Sequence, residues 1–245
     1  MVKTILYNIF KRVGQLLGLD IRRFPTSNQR NLINYLTKNQ IDYCFDVGAN
    51  IGQYGKYIRS IGFKGKIFSF EPQQEAFQKL LKISKRDSLW QVYNLGISNI
   101  DGIAKINISK NSVSSSLLDI EEKHTSAAPD SKYIGVEDIS VSRIDTFIKE
   151  QKLTNKIFLK IDAQGFESLI LEGTAHSISQ VYALQIEISC VSLYKGEMLL
   201  NEMKDYIESK GFYLSSIESV FTDVTDGRLL QVEAVFLREI NNLNP

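Results

Sequence analysis

Cysteine is scarce in this chain, long apolar runs are missing, and neither sign of charge prevails. The two cysteines, Cys44 and Cys190, stand among 245 residues at no metal-binding or redox spacing. A disulfide-stapled scaffold and a cysteine-held metal are thereby excluded. Two thiols in apolar surroundings suit burial as small hydrophobes in a reducing, cytoplasmic setting. No uninterrupted apolar run exceeds four residues (Val181–Leu184 and Ala234–Leu237), against the roughly 20 that span a bilayer. Lys11 and Arg12 interrupt the stretch where the apolar core of a secretory leader would lie, so none is expected. Lys and Arg total 29 against 28 Asp and Glu, a net charge of +1. No nucleic-acid partner is expected, because a protein that binds one through a pervasive basic surface carries a large positive balance.

What is present suffices for a core. The chain is 43% hydrophobic and 10% aromatic, which fits one large domain with or without an appendage and excludes a disordered chain. The charge is unevenly spread. Residues 1–30 hold six Lys and Arg against Asp20 alone, a local +5, whereas the other 215 carry 23 basic and 27 acidic side chains.

Leu6, Phe10, Val13 and Leu17 recur at steps of three and four, with Ile5, Ile9 and Leu16 beside them. This predicts an amphipathic helix over 2–18 with its basic residues off the stripe. Such a helix packs on its own domain or on a second copy in a homo-oligomer, or it touches an anionic membrane surface as a peripheral anchor. A break carrying Pro25 follows, then a helix over Ser27–Lys38 with Ser27 as its cap. Residues 1–40 thus read as a helical extension ahead of a domain at 41–240.

From Ile41 onward strands alternate with helices. Strands are expected at 43–47, 66–70, 90–95, 156–161, 183–188, 212–216 and 232–237, with helices at 53–60, 73–84, 166–171 and 197–209. Repeated strand–helix units imply right-handed crossovers and a doubly wound α/β fold with a mostly parallel seven-stranded sheet. Residues 102–133 interrupt the pattern with a short alternating segment (Ile103, Lys105, Asn107) and a Ser-rich polar stretch. A long polar loop there reads as a lid.

The most informative stretch is Asp46-Val-Gly48-Ala-Asn50-Ile-Gly52, between a buried strand and a helix. Gly48 permits a sharp turn and Gly52 a close helix–strand approach, so a ligand can lie against bare backbone. The second strand ends in Glu71, placed to accept hydrogen bonds from a ribose diol. A dinucleotide needs a second glycine where Asn50 stands, and no Lys or Arg replaces the lost phosphate contact. NAD and FAD are therefore disfavoured, and the absence of G-K-[ST] excludes a P-loop. A ligand with ribose, sulfonium, amine and carboxylate fits better, with Asp46 facing the amine. That ligand is S-adenosylmethionine. At the third strand's end, Asn94 and Ser98 are candidates for the adenine neighbourhood.

The sequence also resembles the FkbM-type S-adenosylmethionine-dependent methyltransferases. The resemblance runs through Asp46–Gly52 and Phe70-Glu71-Pro72, the Ser-rich Asn111–Leu117, and Val141-x-Arg143-Ile144-Asp145. Its most distinctive segment is Leu159-Lys160-Ile161-Asp162-Ala163-Gln164-Gly165-Phe166-Glu167, followed by Leu171-Glu172-Gly173, Glu187-Ile-Ser189 and Leu193-Tyr194. It implies a Rossmann-like class I methyltransferase domain whose acceptor is a hydroxyl on a small molecule, a glycan or a secondary metabolite. Asp162 and Glu187, each ending a strand, then fall on the methyl-facing side as base or substrate contacts. Related sugar and catechol enzymes imply that the same pair could hold Mg²⁺. His124, in the expected loop, is the candidate for a mobile general base. A nicotinamide-dependent oxidoreductase and a silent binding protein of the same fold are the rival readings.

Overall fold

The computed structural model describes residues 2–239; the side chains of residues 2–5, including Lys3 and Ile5, and Ile240 at the end of the expected domain lie outside that description. Two helices come first, α1 (Val2–Leu16) and α2 (Ser27–Lys38). The alternating series follows as β1 (Tyr43–Val47), α3 (Gln53–Ser60), β2 (Lys66–Phe70), α4 (Gln74–Ser84) and β3 (Trp90–Tyr93). Next come β4 (Gly96–Ile97), β5 (Gly102–Ser109), α5 (Glu122–Ala127), β6 (Tyr133–Ser142) and α6 (Ile144–Glu150). The chain closes with β7 (Ile157–Ile161), α7 (Glu167–Glu172), β8 (Val181–Ser189), α8 (Leu200–Ser209), β9 (Phe212–Thr222) and β10 (Leu229–Arg238).

Seven strands form the main sheet in the order β3-β2-β1-β7-β8-β10-β9. Only β10 is reversed, pairing antiparallel with both β8 and β9. The mostly parallel, doubly wound α/β architecture is therefore the one that forms. Its central strands explain why. Cys44, Phe45 and Val47 of β1 and Ile157, Phe158, Leu159 and Ile161 of β7 are all buried, as expected of parallel strands covered on both faces. On one face α6, α7 and α8 bring Phe147, Ile170 and Ile207 against Phe45 and Leu184. On the other, α2, α3 and α4 bring Leu36, Ile58 and Leu80 against Phe158 and Trp90. Burial pushes the Cys44 thiol well above its ordinary pKa, which keeps it an inert core residue.

Parallel pairing of β1 with β2 on one side and β7 on the other makes β1 the switch point of the sheet. Ligands bind outside strand C-termini at such a point.

Four expectations are corrected. Residues 102–133 are not one polar loop: β5 pairs with β6 along its length, and β4, β6 and β5 form a second, three-stranded sheet. Ile106, Ile139 and Val141 build its buried face, but outward Asp138 and Ser140 mask the alternation of β6. The Ser-rich segment is not a free lid either, since Ser114, Ser115 and Ser116 are buried. The cap of α2 is Thr26, whose hydroxyl accepts from the Gln29 N–H while the Gln29 side chain accepts from Thr26 N–H, a reciprocal capping box. Finally, the stripe of α1 does not pack on the domain. Leu6, Ile9, Phe10, Val13 and Leu16 are all exposed.

Candidate active site

A cavity of about 520 Å³ opens where β1, β2 and β7 end. Its floor is the turn after β1. Gly48 has φ +74°, and a Cβ there would run into the carbonyl oxygen of Asp162. Only glycine lets the two strand ends approach this closely. The N–H groups of Gly48 and Ala49 both donate to the carbonyl oxygen of Phe70, at 3.1 and 3.0 Å, tying the turn to β2. Asn50 sits in the left-handed region at φ 46°. Its N–H donates to Glu71 Oε2 at 2.7 Å, and Gln73 N–H donates to Glu71 Oε1 at 2.8 Å. Glu71 is thus fixed on the wall with one lone pair of each oxygen engaged. Burial pushes its pKa up to about 7, against the opposing pull of these two N–H groups. Pro72, Leu95, Ile97, Ile106 and Ile139 give this end of the cavity apolar walls.

The opposite end is built on the turn after β7. Gln164 and Gly165 are successive left-handed residues, with φ of 55° and 92°. Glu167 Oε1 holds the turn by accepting the N–H groups of Ala163 at 2.9 Å and Gly165 at 3.2 Å. Burial pushes the Glu167 carboxyl up to about 8. The Gln164 amide nitrogen donates to Asp162 Oδ1 and to Glu187 Oε2, both at 2.8 Å. Its amide oxygen accepts from the Tyr194 hydroxyl at 2.7 Å, and its main-chain carbonyl accepts from Ser116 Oγ at 2.7 Å. Glu187 also accepts from Gln231 at 3.0 Å, and burial together with the nearby Asp162 charge pushes its pKa far up. Lys160 Nζ lies 3.7 Å from Asp46 Oδ1 and 3.5 Å from Asp162 Oδ2. Burial disfavours its ammonium, but Asp162 and Asp46 outweigh that and hold its pKa above the ordinary lysine value.

Gly48, Asn50, Glu71 and Asp162, four of the sequence candidates, line the cavity. The others are placed differently. Asp46 lies fully buried beneath the turn, accepting from Ser69 Oγ at 2.8 Å, and Lys160 stands on the wall in its place. Gly52 heads α3, where a Cβ would press on Leu80 and Trp90. The Asn94 amide donates to the carbonyls of Glu71 and Pro72, so it sets the wall without facing the cavity. Ser98 is buried behind it, its carbonyl packed against Gly173. Glu187 sits behind Gln164. His124 is not a mobile base. It is buried in α5, edge-on to Tyr194 and 5.0 Å from its ring centroid, and burial lowers its pKa to about 4.

Sequence reasoning missed Gln164, the hub of the acidic end, although it lies inside the most distinctive motif. It also missed a polar lobe made by Gln29, Tyr54, Tyr57, Gln185, Glu218 and Glu233. Gln185 in the otherwise apolar centre of β8 was the available signal. Its Oε1 accepts from the Tyr54 hydroxyl at 2.7 Å.

These residues fit a cationic nucleoside ligand. The wall carries Glu71, Asp162, Glu218 and Glu233 against the single cation Lys160 among the described residues, and bare backbone at Gly48 leaves room for close approach. They do not fit Mg²⁺ as placed. The Gln164 amide donates to both carboxylates where a bridging cation would bind, and among the described residues no group of three or more His, Cys, Asp or Glu could hold a metal.

The family model described as "Methyltransferase FkbM domain" matches residues 46–214. The chain belongs to that family. This methyltransferase is similar to 2-O-methyltransferase NoeI of Sinorhizobium fredii, 22% identical over 196 residues that cover 76% of this chain and 80% of that one. Among solved structures it is similar to the Burkholderia thailandensis 1,6-didemethyltoxoflavin-N1-methyltransferase, determined with S-adenosylhomocysteine, at 9% identity and a TM-score of 0.47. That match covers 87% of this chain and 79% of the other. An rRNA methylase from Streptococcus thermophilus gives 10% identity and a TM-score of 0.46 over 90% and 99%. The assignment of the methyltransferase rests on the family match, which leaves no place for the oxidoreductase reading.

Proposed function

We propose that this methyltransferase transfers a methyl group from S-adenosylmethionine to a hydroxyl oxygen of a sugar ring, on a glycan or a glycosylated metabolite. The observation that carries this reading is Asp162. It is a cavity-lining carboxylate, partly exposed, held by the Gln164 amide on one oxygen and near Lys160 on the other. The cofactor, when bound, supplies an electrophilic methyl on a sulfonium. The Gly48–Asn50 turn and Glu71 hold and orient the adenosine end, which is the proximity effect that in-line displacement requires. Asp162 accepts the hydroxyl proton as the oxygen–carbon bond forms, and releases it to water once the carbon–sulfur bond has broken. Lys160 Nζ, 3.5 Å from Asp162 Oδ2, sets a cation beside the carboxylate that takes the proton.

The acceptor preference rests on the polar lobe. Carboxylates and amides facing one space (Gln29, Gln185, Glu218, Glu233) suit the hydroxyls of a pyranose, and the Sinorhizobium relative is named as a 2-O-methyltransferase.

The test is calorimetry with S-adenosylhomocysteine, followed by a methyl-transfer assay on a panel of glycosides. Tight binding and an Asp162→Asn variant that keeps it but loses about 10²–10⁴-fold in kcat support the reading. No binding, or full turnover without Asp162, sinks it. Activity in excess chelator is expected to equal that in Mg²⁺.

A further inference from the structure

The apolar stripe of α1 is uncovered, and nothing in the catalytic reading uses it. Leu6, Ile9, Phe10 and Val13 are each about half exposed, and Leu16 and Leu17 are 87% and 70% exposed. The segment after the helix folds back on a different side of it. Gly14 abuts Ile21, and Leu19 N–H donates to the Gly14 carbonyl at 2.7 Å. The Arg23 guanidinium stands 4.5 Å over the Tyr7 ring. Tyr7 and Gly14 lie off the stripe on a helical projection, so the fold-back covers one flank and leaves the apolar arc bare. A contiguous arc of this kind marks an interaction surface.

The charge around it selects the partner. Lys11, Arg12, Arg22, Arg23 and Arg30 are exposed here, while Asp20, the single acid of residues 2–30, is paired with Arg22 at 2.6 Å. A second copy laid on the stripe would set these cations against their own kind. An anionic bilayer would complement them, at about 1 kcal/mol for each basic residue near the surface. The helix is short for a span and carries Lys11 and Arg12 in its centre, and no helix among the described residues is long and apolar enough to cross a membrane. It would therefore lie in the interface plane.

We propose that α1 docks this methyltransferase reversibly on an anionic membrane surface, its apolar arc in the headgroup–acyl boundary and its basic residues at the phosphates. Only ten residues, 17–26, separate α1 from α2. Gln29 in the first turn of α2 lines the catalytic cavity, and Asn28 donates to Glu218 at 2.8 Å. Docking thereby brings the acceptor lobe to the surface, where lipid-linked acceptors are displayed.

Flotation of the full chain with vesicles of phosphatidylcholine, with and without phosphatidylglycerol, tests this. The chain is expected to float with the anionic vesicles and to release in high salt. Lys11→Gln with Arg12→Gln should weaken binding roughly 25-fold, the product of two charge losses at that energy. Phe10→Asp should abolish flotation. An unchanged cooperative unfolding transition shows that these variants fold, and S-adenosylhomocysteine binding, which does not involve α1, should stay as in the parent. Equal binding to both vesicle types, binding to neither, or a dimer dissolved by Phe10→Asp overturns the proposal. Its failure would leave the catalytic reading untouched.

Discussion

Glu71 carries the clearest pH signature of any single residue. Its carboxyl has an ordinary value of 4.5 and is pushed up to about 7 by burial. Because the folded-state value is the higher one, its stabilising share is fully present below pH 4.5 and is lost as the pH climbs through about 7. In the proposed role of Glu71 as ribose acceptor, ligand binding runs the other way, since only the carboxylate accepts from a ribose diol with both oxygens. Affinity for S-adenosylhomocysteine should therefore rise between pH 6 and pH 8. In Glu71→Gln that rise should vanish, with a loss of roughly 10- to 100-fold at the alkaline end, the worth of a hydrogen bond to a charged group. Calorimetry across that range, with a flat parent profile as the contrary result, decides it. Gln164 shows what sequence could not reveal about a residue. The motif names it, but only the folded turn shows one amide donating to Asp162 and Glu187 together. Asp162 stands two residues before it, but Glu187 is 23 residues away near the end of β8 and no local pattern joins the two.

Among the elements, the two turns after β1 and β7 form the floor and one end of the candidate site. Gly48 is where they touch, so Gly48→Ala must push the turns apart as well as strain the backbone at φ +74°. A loss of about 2–4 kcal/mol in urea unfolding is expected, with no measurable S-adenosylhomocysteine binding. Retained binding would show that the turns give way freely. The core strands and their order were legible because buried parallel strands are nearly continuous in apolar residues, as β7 is (Ile157, Phe158, Leu159, Ile161). The small sheet was not. β6 is ten residues long, yet only Ile139 and Val141 of it are deeply buried, so half of its length offers no periodic signal. β9 was shortened for the same reason, since as an edge strand it exposes Glu218, Ser219 and Val220. His124 was misplaced because a histidine among polar neighbours reads as solvated, whereas Tyr194 and Phe221 enclose it through contacts made far along the chain.

For the molecule as a whole, near-neutrality hides a division. The wall of the cavity is acidic, with four carboxylates against Lys160 among the described residues, while the N-terminal region is basic. An acceptor carrying a carboxylate or phosphate should meet repulsion that an uncharged ring does not. We expect kcat/KM for a neutral glycoside to exceed that for its uronate counterpart by at least about tenfold, the effect of roughly 1.4 kcal/mol. Glu218→Gln with Glu233→Gln should narrow the gap, mainly through KM for the uronate. An unaltered ratio would place the acceptor elsewhere.

The connector between α1 and α2 sets a working radius. Ten residues reach at most about 33–36 Å when fully extended, so the end of α1 and the start of α2, beside the Gln29 side of the cavity, stay within roughly that distance of each other. A surface that holds the first holds the second. Acceptors displayed there are then met at an effective concentration near the millimolar range that short tethers give. Turnover on such a surface would depend on how densely acceptors are displayed, and hardly at all on how much enzyme or acceptor is present in the surrounding volume.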